Sequence, residues 1–221
     1  MTLPNLIVPV LNNYYGLQRM VDSIDYPVER LLIIDNGGLA DPAATYETEY
    51  VERAHVVSLP SNLGVSGSWN LGVKLLPHDR VWHFTSDDVI FQPGGLANLA
   101  KAKPGKLTLS RDWPHWHTFA LGEDIVRRVG LFDERLYPAY FEDNDYLARC
   151  VIAGVDTAIS FQDVQAVHHK SSTLNSDESF KIKNAVTFQA NRELYERKLW
   201  HKDATWGWDL DRRRAGEWLV D

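Results

Sequence analysis

One cysteine in 221 residues, Cys150, excludes an intrachain disulfide and suits a reducing compartment. No apolar run approaches the roughly 20 residues that span a bilayer. Met1 to Asn5 lack the basic region and apolar core of a secretory leader. The expectation is a soluble cytoplasmic protein without a transmembrane segment. Positive charge is also scarce. Lys and Arg total 23 against 30 Asp and Glu, a net charge of -7, which argues against a protein whose main task is to hold a nucleic-acid backbone. Lys181, Lys183, Arg192, Arg197 and Lys198 answer this only locally. There is no internal repeat and no low-complexity linker. We read one domain over residues 1–175 and a helical extension over 176–221, packed on that domain and carrying Trp206, Trp208, Trp218 and Arg212-Arg213-Arg214.

Aromatic residues are abundant, with Trp 8, Tyr 9 and Phe 8, enough for a sizeable core or for stacking on sugars or bases. The first part of the chain alternates apolar runs with helical patterns. Leu3 to Val10 and Leu31 to Ile34 are continuously apolar, as strands covered on both faces are. Asn13 to Ser23 carries Leu17, Met20, Val21 and Ile24 at helical spacing. Pro42 to Tyr50 reads as a short helix, and His55 to Leu59 as a third strand. Strand, helix, strand, helix, strand with short links predicts an α/β fold on a mostly parallel sheet. Later strands are expected at Leu107–Ser110, Thr118–Leu121, Val155–Phe161 and Val164–Val167. A long helix is expected over Ser179–Leu199, with Ile182, Val186, Tyr195 and Leu199 as its stripe.

Acidic residues then recur where strands should end. Arg80 to Phe84 leads into Thr85-Ser86-Asp87-Asp88, and Ile33-Ile34 leads into Asp35. That edge of an open α/β sheet is where ligands bind. A carboxylate pair there suits a hard divalent ion that also meets phosphates, although acids also cap helices and form turns. Asn62 to Gly72 places three glycines and two asparagines between a strand and a helix, which permits close backbone approach or close helix–sheet packing. Phe141-Glu142-Asp143-Asn144-Asp145 opens another helix. Acids complement a helix N-terminus, and one of these could act as a base. A strand then ends in His168-His169, of which alternation lets only one face the site. The ring-dense Trp113-Pro114-His115-Trp116-His117 is either a packed turn or a stacking loop.

In order and spacing these segments resemble the inverting GT-A glycosyltransferases of family 2, in particular the rhamnosyltransferase-like branch. The resemblance runs from about Leu3 to Trp200 and rests on Val8-Pro9-Val10 with Asn12, Ile34-Asp35-Asn36-Gly37, and Asn62-Leu63-Gly64 with Gly67, Asn70 and Gly72. It continues through Ser86-Asp87-Asp88, Gly130-Leu131-Phe132-Asp133-Glu134, Tyr140-Phe141-Glu142-Asp143-Asn144-Asp145 and His168 with Ser171-Ser172. The resemblance implies a nucleotide-sugar donor held by Pro9, Val10, Asn12, Asp35, Asn62, Gly64, Gly67, Asn70, Ser86 and Asp87, and the acceptor-only Asp35 carboxylate at a strand end favours a pyrimidine, hence a UDP- or dTDP-sugar. It implies Mn²⁺ or Mg²⁺ on Asp88 and His168, and Asp143 as the base with Glu142 second. Ser86 stands where the family usually has the first acid of its DxD motif. The acceptor would be a glycan, a lipid-linked saccharide or, against the net charge, a modified nucleic-acid base. Two other classes fit parts of the pattern: a nucleotidyltransferase on a similar sheet, and a non-catalytic carbohydrate- or nucleotide-binding module.

Overall fold

The apolar run near the N-terminus lies at the heart of the sheet. In a computed structural model, which describes residues 2–38, 46–164, 166–168 and 178–201, it forms β1 (Leu6–Val10). β1 is parallel to β2 (Val28–Asp35) on one side and to β4 (Val81–Thr85) on the other, and β3 (Val51–Ser58) runs parallel beyond β2. β7 (Thr118–Gly122) is antiparallel to β4, β6 (Leu107–Ser110) is antiparallel to β7, and β8 (Ile159–Gln162) is parallel to β6. The strand order is β3-β2-β1-β4-β7-β6-β8. A separate antiparallel ribbon pairs β5 (Val89–Phe91) with β9 (Ala166–His168). The mostly parallel α/β sheet expected from the sequence is therefore present.

Alternation along β1 explains its unbroken apolarity. Leu6, Val8 and Val10 join a core with Leu31, Ile33 and the inner face of α1 (Tyr14–Asp22). Ile7 joins the opposite core with Leu32, Ile34, Trp82 and Phe84, beneath α2 (Gly64–Leu75), α4 (Glu123–Val129) and α5 (Glu142–Ile152). Fully burying one such side chain contributes about 1.5–3 kcal/mol. α2 lies so close to β1 that a Cβ at Gly72 would sit 2.7 Å from the Ile7 side chain. This glycine serves helix–sheet packing. Short α3 (Gly95–Leu99) follows β5, and α6 (Glu178–His201) closes the described chain.

Several local expectations change. The helix expected over Pro42–Tyr50 falls largely on residues 39–45, outside the described residues, and Tyr46–Tyr50 is not helical. The strand expected from Val155 begins only at Ile159, after a 3₁₀ turn over Asp156–Ala158. The stripe of α6 is also different. Ile182 and Val186 are 62% and 67% exposed, whereas Asn191 and Lys198 are 4% and 7% exposed. The docked face runs through Phe188, Asn191, Tyr195 and Lys198, at helical spacing but half polar. Lys198 is thus inside the protein and Arg192 pairs with Glu196. Neither is part of an open basic groove.

Candidate active site

β1, β2 and β4 end side by side, and the expected acids lie at the end of β2 (Asp35) and just past β4 (Asp87 and Asp88). Val10 and Asp35 are register partners, and Leu59, just past β3, donates its N–H to the Asp35 carbonyl at 2.9 Å. The Asp35 side chain is fully buried. Its Oδ1 accepts from the Tyr14 hydroxyl at 2.7 Å and from the Gly37 and Gly38 N–H groups at 3.2 and 3.0 Å, and its Oδ2 accepts from the Ser58 hydroxyl at 3.2 Å. Tyr14 and Ser58 lie outside the residues singled out from the sequence. Their positions just after β1 and at the end of β3 are the signal that could have found them.

Asn36 carries the β2 terminus across to α2. Its amide donates to Ser68 Oγ at 2.8 Å and its Oδ1 accepts the Leu63 N–H at 2.9 Å. Asn62 Oδ1 takes the Gly64 N–H at 2.7 Å, which closes the loop just before α2. Gly64 has φ +73, and a Cβ there would lie 2.7 Å from the Pro138 carbonyl oxygen. The next residue, Val65, donates its N–H to that same oxygen at 2.7 Å. The glycine loop therefore rests on the segment that leads into Glu142 and Asp143. Gly67 is buried in the first turn of α2. Asn70 turns inward instead. It is fully buried, donating to the Phe132 carbonyl and Glu134 Oε1 at 2.9 and 2.8 Å and accepting the Phe132 N–H at 2.9 Å. Pro9 and Val10 end β1 with Val10 buried, and Asn12 is exposed in the bend that follows.

Past β4, Ser86 donates its N–H to the His117 carbonyl at 2.9 Å, which places the aromatic loop beside the acidic pair. In that loop Trp116 packs inward against Trp69 and Phe119, while Trp113 is 84% exposed. Asp87 and Asp88 are both buried. Burial and the charge of Asp88 push the Asp87 carboxyl up to about 7, partly offset by a hydrogen bond from Asn13. Two close, buried carboxylates, one of them with its proton affinity raised by the other's charge, form a site a divalent cation would neutralise. The ribbon sets a histidine position of the backbone beside the pair, because Val89, immediately after Asp88, pairs with His168. His168 is described by its backbone alone, and His169 lies outside the described residues. Among the described residues no cluster of three or more metal-ligating side chains is present. Two hard oxygen ligands beside a histidine position nonetheless fit Mg²⁺ or Mn²⁺.

Glu142 and Asp143 open α5. Burial, then the charge of Asp143, push the Glu142 carboxyl up to about 8, and its Oε2 has no hydrogen-bond partner among the described residues. Asp143 is half-buried, and burial raises its carboxyl above the ordinary range. Its Oδ1 accepts the Asn144 N–H at 2.8 Å. Asp145 points elsewhere, toward Arg149 at 2.8 Å and Lys198 at 2.5 Å. The first turn of α5 thus holds two carboxylates of raised proton affinity and one fixed by cations. Among the described residues no helix is long and apolar enough to cross a membrane.

Comparison with known proteins agrees with this geometry. Residues 5–103 match the model of Glycosyl transferase family 2, the part of the chain that holds β1 to β5, the glycine loop and the Asp87–Asp88 pair. A "Galactofuranosyl glycosyltransferase" of Leishmania donovani is 23% identical over 91% of this chain and 68% of its own length. Glucosyl-3-phosphoglycerate synthase from Mycobacterium tuberculosis, solved with Mn²⁺, uridine diphosphate and glucosyl-3-phosphoglycerate, superposes with a TM-score of 0.58 at 15% identity, covering 86% of this chain and 80% of its own. TarS of S. aureus superposes with a TM-score of 0.52 at 15% identity, covering 78% of this chain and 37% of its own. The fold is the GT-A fold.

Proposed function

We propose, for a chain that matches Glycosyl transferase family 2 over residues 5–103 and has the GT-A fold, that it is a metal-dependent inverting glycosyltransferase of the rhamnosyltransferase-like branch, working in the cytoplasm on a UDP- or dTDP-sugar. The observation that carries this reading is the contact of Gly64 and Val65 with Pro138. It sets the glycine loop against the approach to Glu142 and Asp143, so a molecule lying on the loop would present its reacting carbon to those carboxylates.

In this reading the nucleotide lies over the ends of β1 and β2, near Pro9, Val10 and Asn12. The pyrimidine N–H takes the place of the Ser58 hydroxyl at Asp35 Oδ2, since a carboxylate only accepts. Asn62, Gly64 and Gly67 line the way to the diphosphate, with Ser86 and Asp87 opposite. Asp88 and His168 would hold Mn²⁺ or Mg²⁺, which would supply positive charge against that growing on the departing nucleoside diphosphate. Asp143 takes the proton from the acceptor hydroxyl as that oxygen attacks the anomeric carbon and the bond to the nucleoside diphosphate breaks. Only one proton acceptor is needed, and attack opposite the leaving group inverts the anomeric centre. The buried Glu142, protonated at neutral pH, stands beside it as a hydrogen-bond donor to the acceptor. A glycan or lipid-linked saccharide fits the acidic surroundings better than a nucleic-acid base does.

The test is a donor screen on purified protein, reading nucleoside diphosphate release with and without Mn²⁺. Release from a UDP- or dTDP-sugar that depends on Mn²⁺ supports the reading. Tight sugar or nucleotide binding with no release from any donor would favour the non-catalytic module. Release of pyrophosphate from a nucleoside triphosphate would favour the nucleotidyltransferase.

A further inference from the structure

Two consecutive bulky residues immediately before the Glu142–Asp143 pair adopt a left-handed backbone. Tyr140 has φ 78 and Phe141 has φ 70. No glycine or asparagine is present here, and for large side chains this region is sterically costly, so the surroundings must hold it. The hold comes from α6. The buried Asn191 amide donates to the Ala139 carbonyl at 2.8 Å and to the Tyr140 carbonyl at 3.3 Å. The Phe188 ring meets the Tyr140 and Phe141 rings at centroid distances of 5.2 and 5.0 Å, and Tyr195 stacks on Phe141 at 5.6 Å. Lys198 completes the face. Its Nζ lies 2.5 Å from Asp133 and 2.5 Å from Asp145. Asp133 sits in the 132–134 segment that Asn70 of α2 grips, and Asp145 lies in the first turn of α5.

We propose that α6 is the clamp that aims the active-site carboxylates, with Asn191 and Lys198 as positioning residues that hold the left-handed Tyr140–Phe141 turn and the first turn of α5 in place. Neither residue touches substrate. Both act through Asp143, so the proposal rests on the role assigned to Asp143 above. A turn held against its own steric preference has a lower-energy alternative. Loss of the clamp lets the turn relax and swings the carboxylates away from the acceptor, while the strand ends of β1 and β2 that carry Asp35 stay as they are. Misplacement of about 1 Å costs on the order of 10²-fold in rate.

Two measurements test this. The first needs no turnover: amide hydrogen exchange in the wild type, Asn191→Leu and Phe188→Leu, the last a milder change at a residue that is 41% exposed. Amides of residues 142–146 are expected to exchange about tenfold or more faster in Asn191→Leu and several-fold faster in Phe188→Leu, with β1 and β4 amides unchanged. Unchanged exchange at 142–146 in both variants overturns the proposal. If Asn191→Leu loses protection in β1 and β4 as well, Phe188→Leu alone decides. The second measures nucleoside diphosphate release from UDP-glucose, UDP-galactose and dTDP-rhamnose, with the donor turned over fastest carried forward. Asn191→Leu and Lys198→Met are expected to lower kcat ~10–10²-fold at unchanged donor KM, and Lys198→Arg to recover most of it. In the Asp143→Asn background Asn191→Leu is expected to add no further loss. Equal losses in both backgrounds overturn the proposal. If Asp143→Asn itself transfers normally, the assignment of the base fails instead, and the exchange result still decides whether α6 holds the turn.

Discussion

Val89 lies opposite His168 across the antiparallel pairing of β5 and β9. The chain leaves the sheet after Thr85, turns through Asp87 and Asp88, and pairs at once in the ribbon, which brings a histidine position from late in the sequence next to the acidic pair.

Asp88 is therefore expected to be the most sensitive metal position. Asp88→Ala should abolish Mn²⁺-stimulated turnover while circular dichroism remains that of the wild type. His168→Ala should weaken Mn²⁺ binding far more than His169→Ala in a titration, because His168 is the position paired opposite Val89, next to Asp88. Wild-type metal dependence in Asp88→Ala, or the reverse order of the two histidines, would count against the assignment.

Asp143 and Glu142 should separate by chemistry. Asp143→Asn keeps the shape and loses the proton acceptor, so nucleotide affinity should stay near wild type while transfer falls ~10²–10⁴-fold. Glu142 is neutral at pH 7, since its carboxyl titrates at about 8. Glu142→Gln should be milder, because an amide can also donate. Single-turnover kinetics on both variants checks this, and a dead Glu142→Gln beside an active Asp143→Asn would exchange the two roles.

The donor pocket makes its own prediction. In the proposed donor site the Asp35 carboxylate would accept a pyrimidine N–H, and a purine would need more room. Calorimetry should show UDP or dTDP bound more tightly than GDP, with Asp35→Ala erasing the difference. Because that carboxylate also holds Tyr14 and two backbone N–H groups, the variant should lose some stability as well.

Lys198 predicts both a stability and its pH dependence. Removing one partner from a buried ion pair costs about 3–5 kcal/mol, so Lys198→Met should lower urea stability by something near that range. Burial pushes the Asp133 carboxyl up, but hydrogen bonds from Arg135 and Lys198 outweigh it and hold it at about 2, below the ordinary 3.8. A depressed folded value stabilises the protein above the unfolded value and is lost as pH falls through the folded one. The gap between wild type and Lys198→Met should therefore be full above pH 4 and shrink toward pH 2.

What the sequence revealed depended on whether the signal was local. β1, β2 and β4 were legible because a strand buried on both faces is apolar throughout, and Asp35 and Asp87 were legible because acids end those runs. β3 was placed late by four residues because, as an edge strand, it mixes exposed Glu52, Arg53 and His55 with few buried groups. Asn70 looked like a loop ligand, and residue type cannot show that its amide turns inward to Phe132. The docked face of α6 was misread because half of it is polar. An apolar pattern points to Ile182 and Val186, which face solvent, and passes over Asn191 and Lys198, whose partners lie far away in the chain.

That distance has a consequence for the order in which the site is built. Lys198 reaches Asp133 across 65 positions and Asn191 reaches Ala139 across 52. β1 to β4, with Asp35 and Asp87 at their ends, are made first, and domains begin to fold from the N-terminus during synthesis. The clamp emerges after them. A growing chain is thus expected to possess its nucleotide cradle well before it possesses an aimed base, and to remain a binder until the final turns of α6 leave the ribosome.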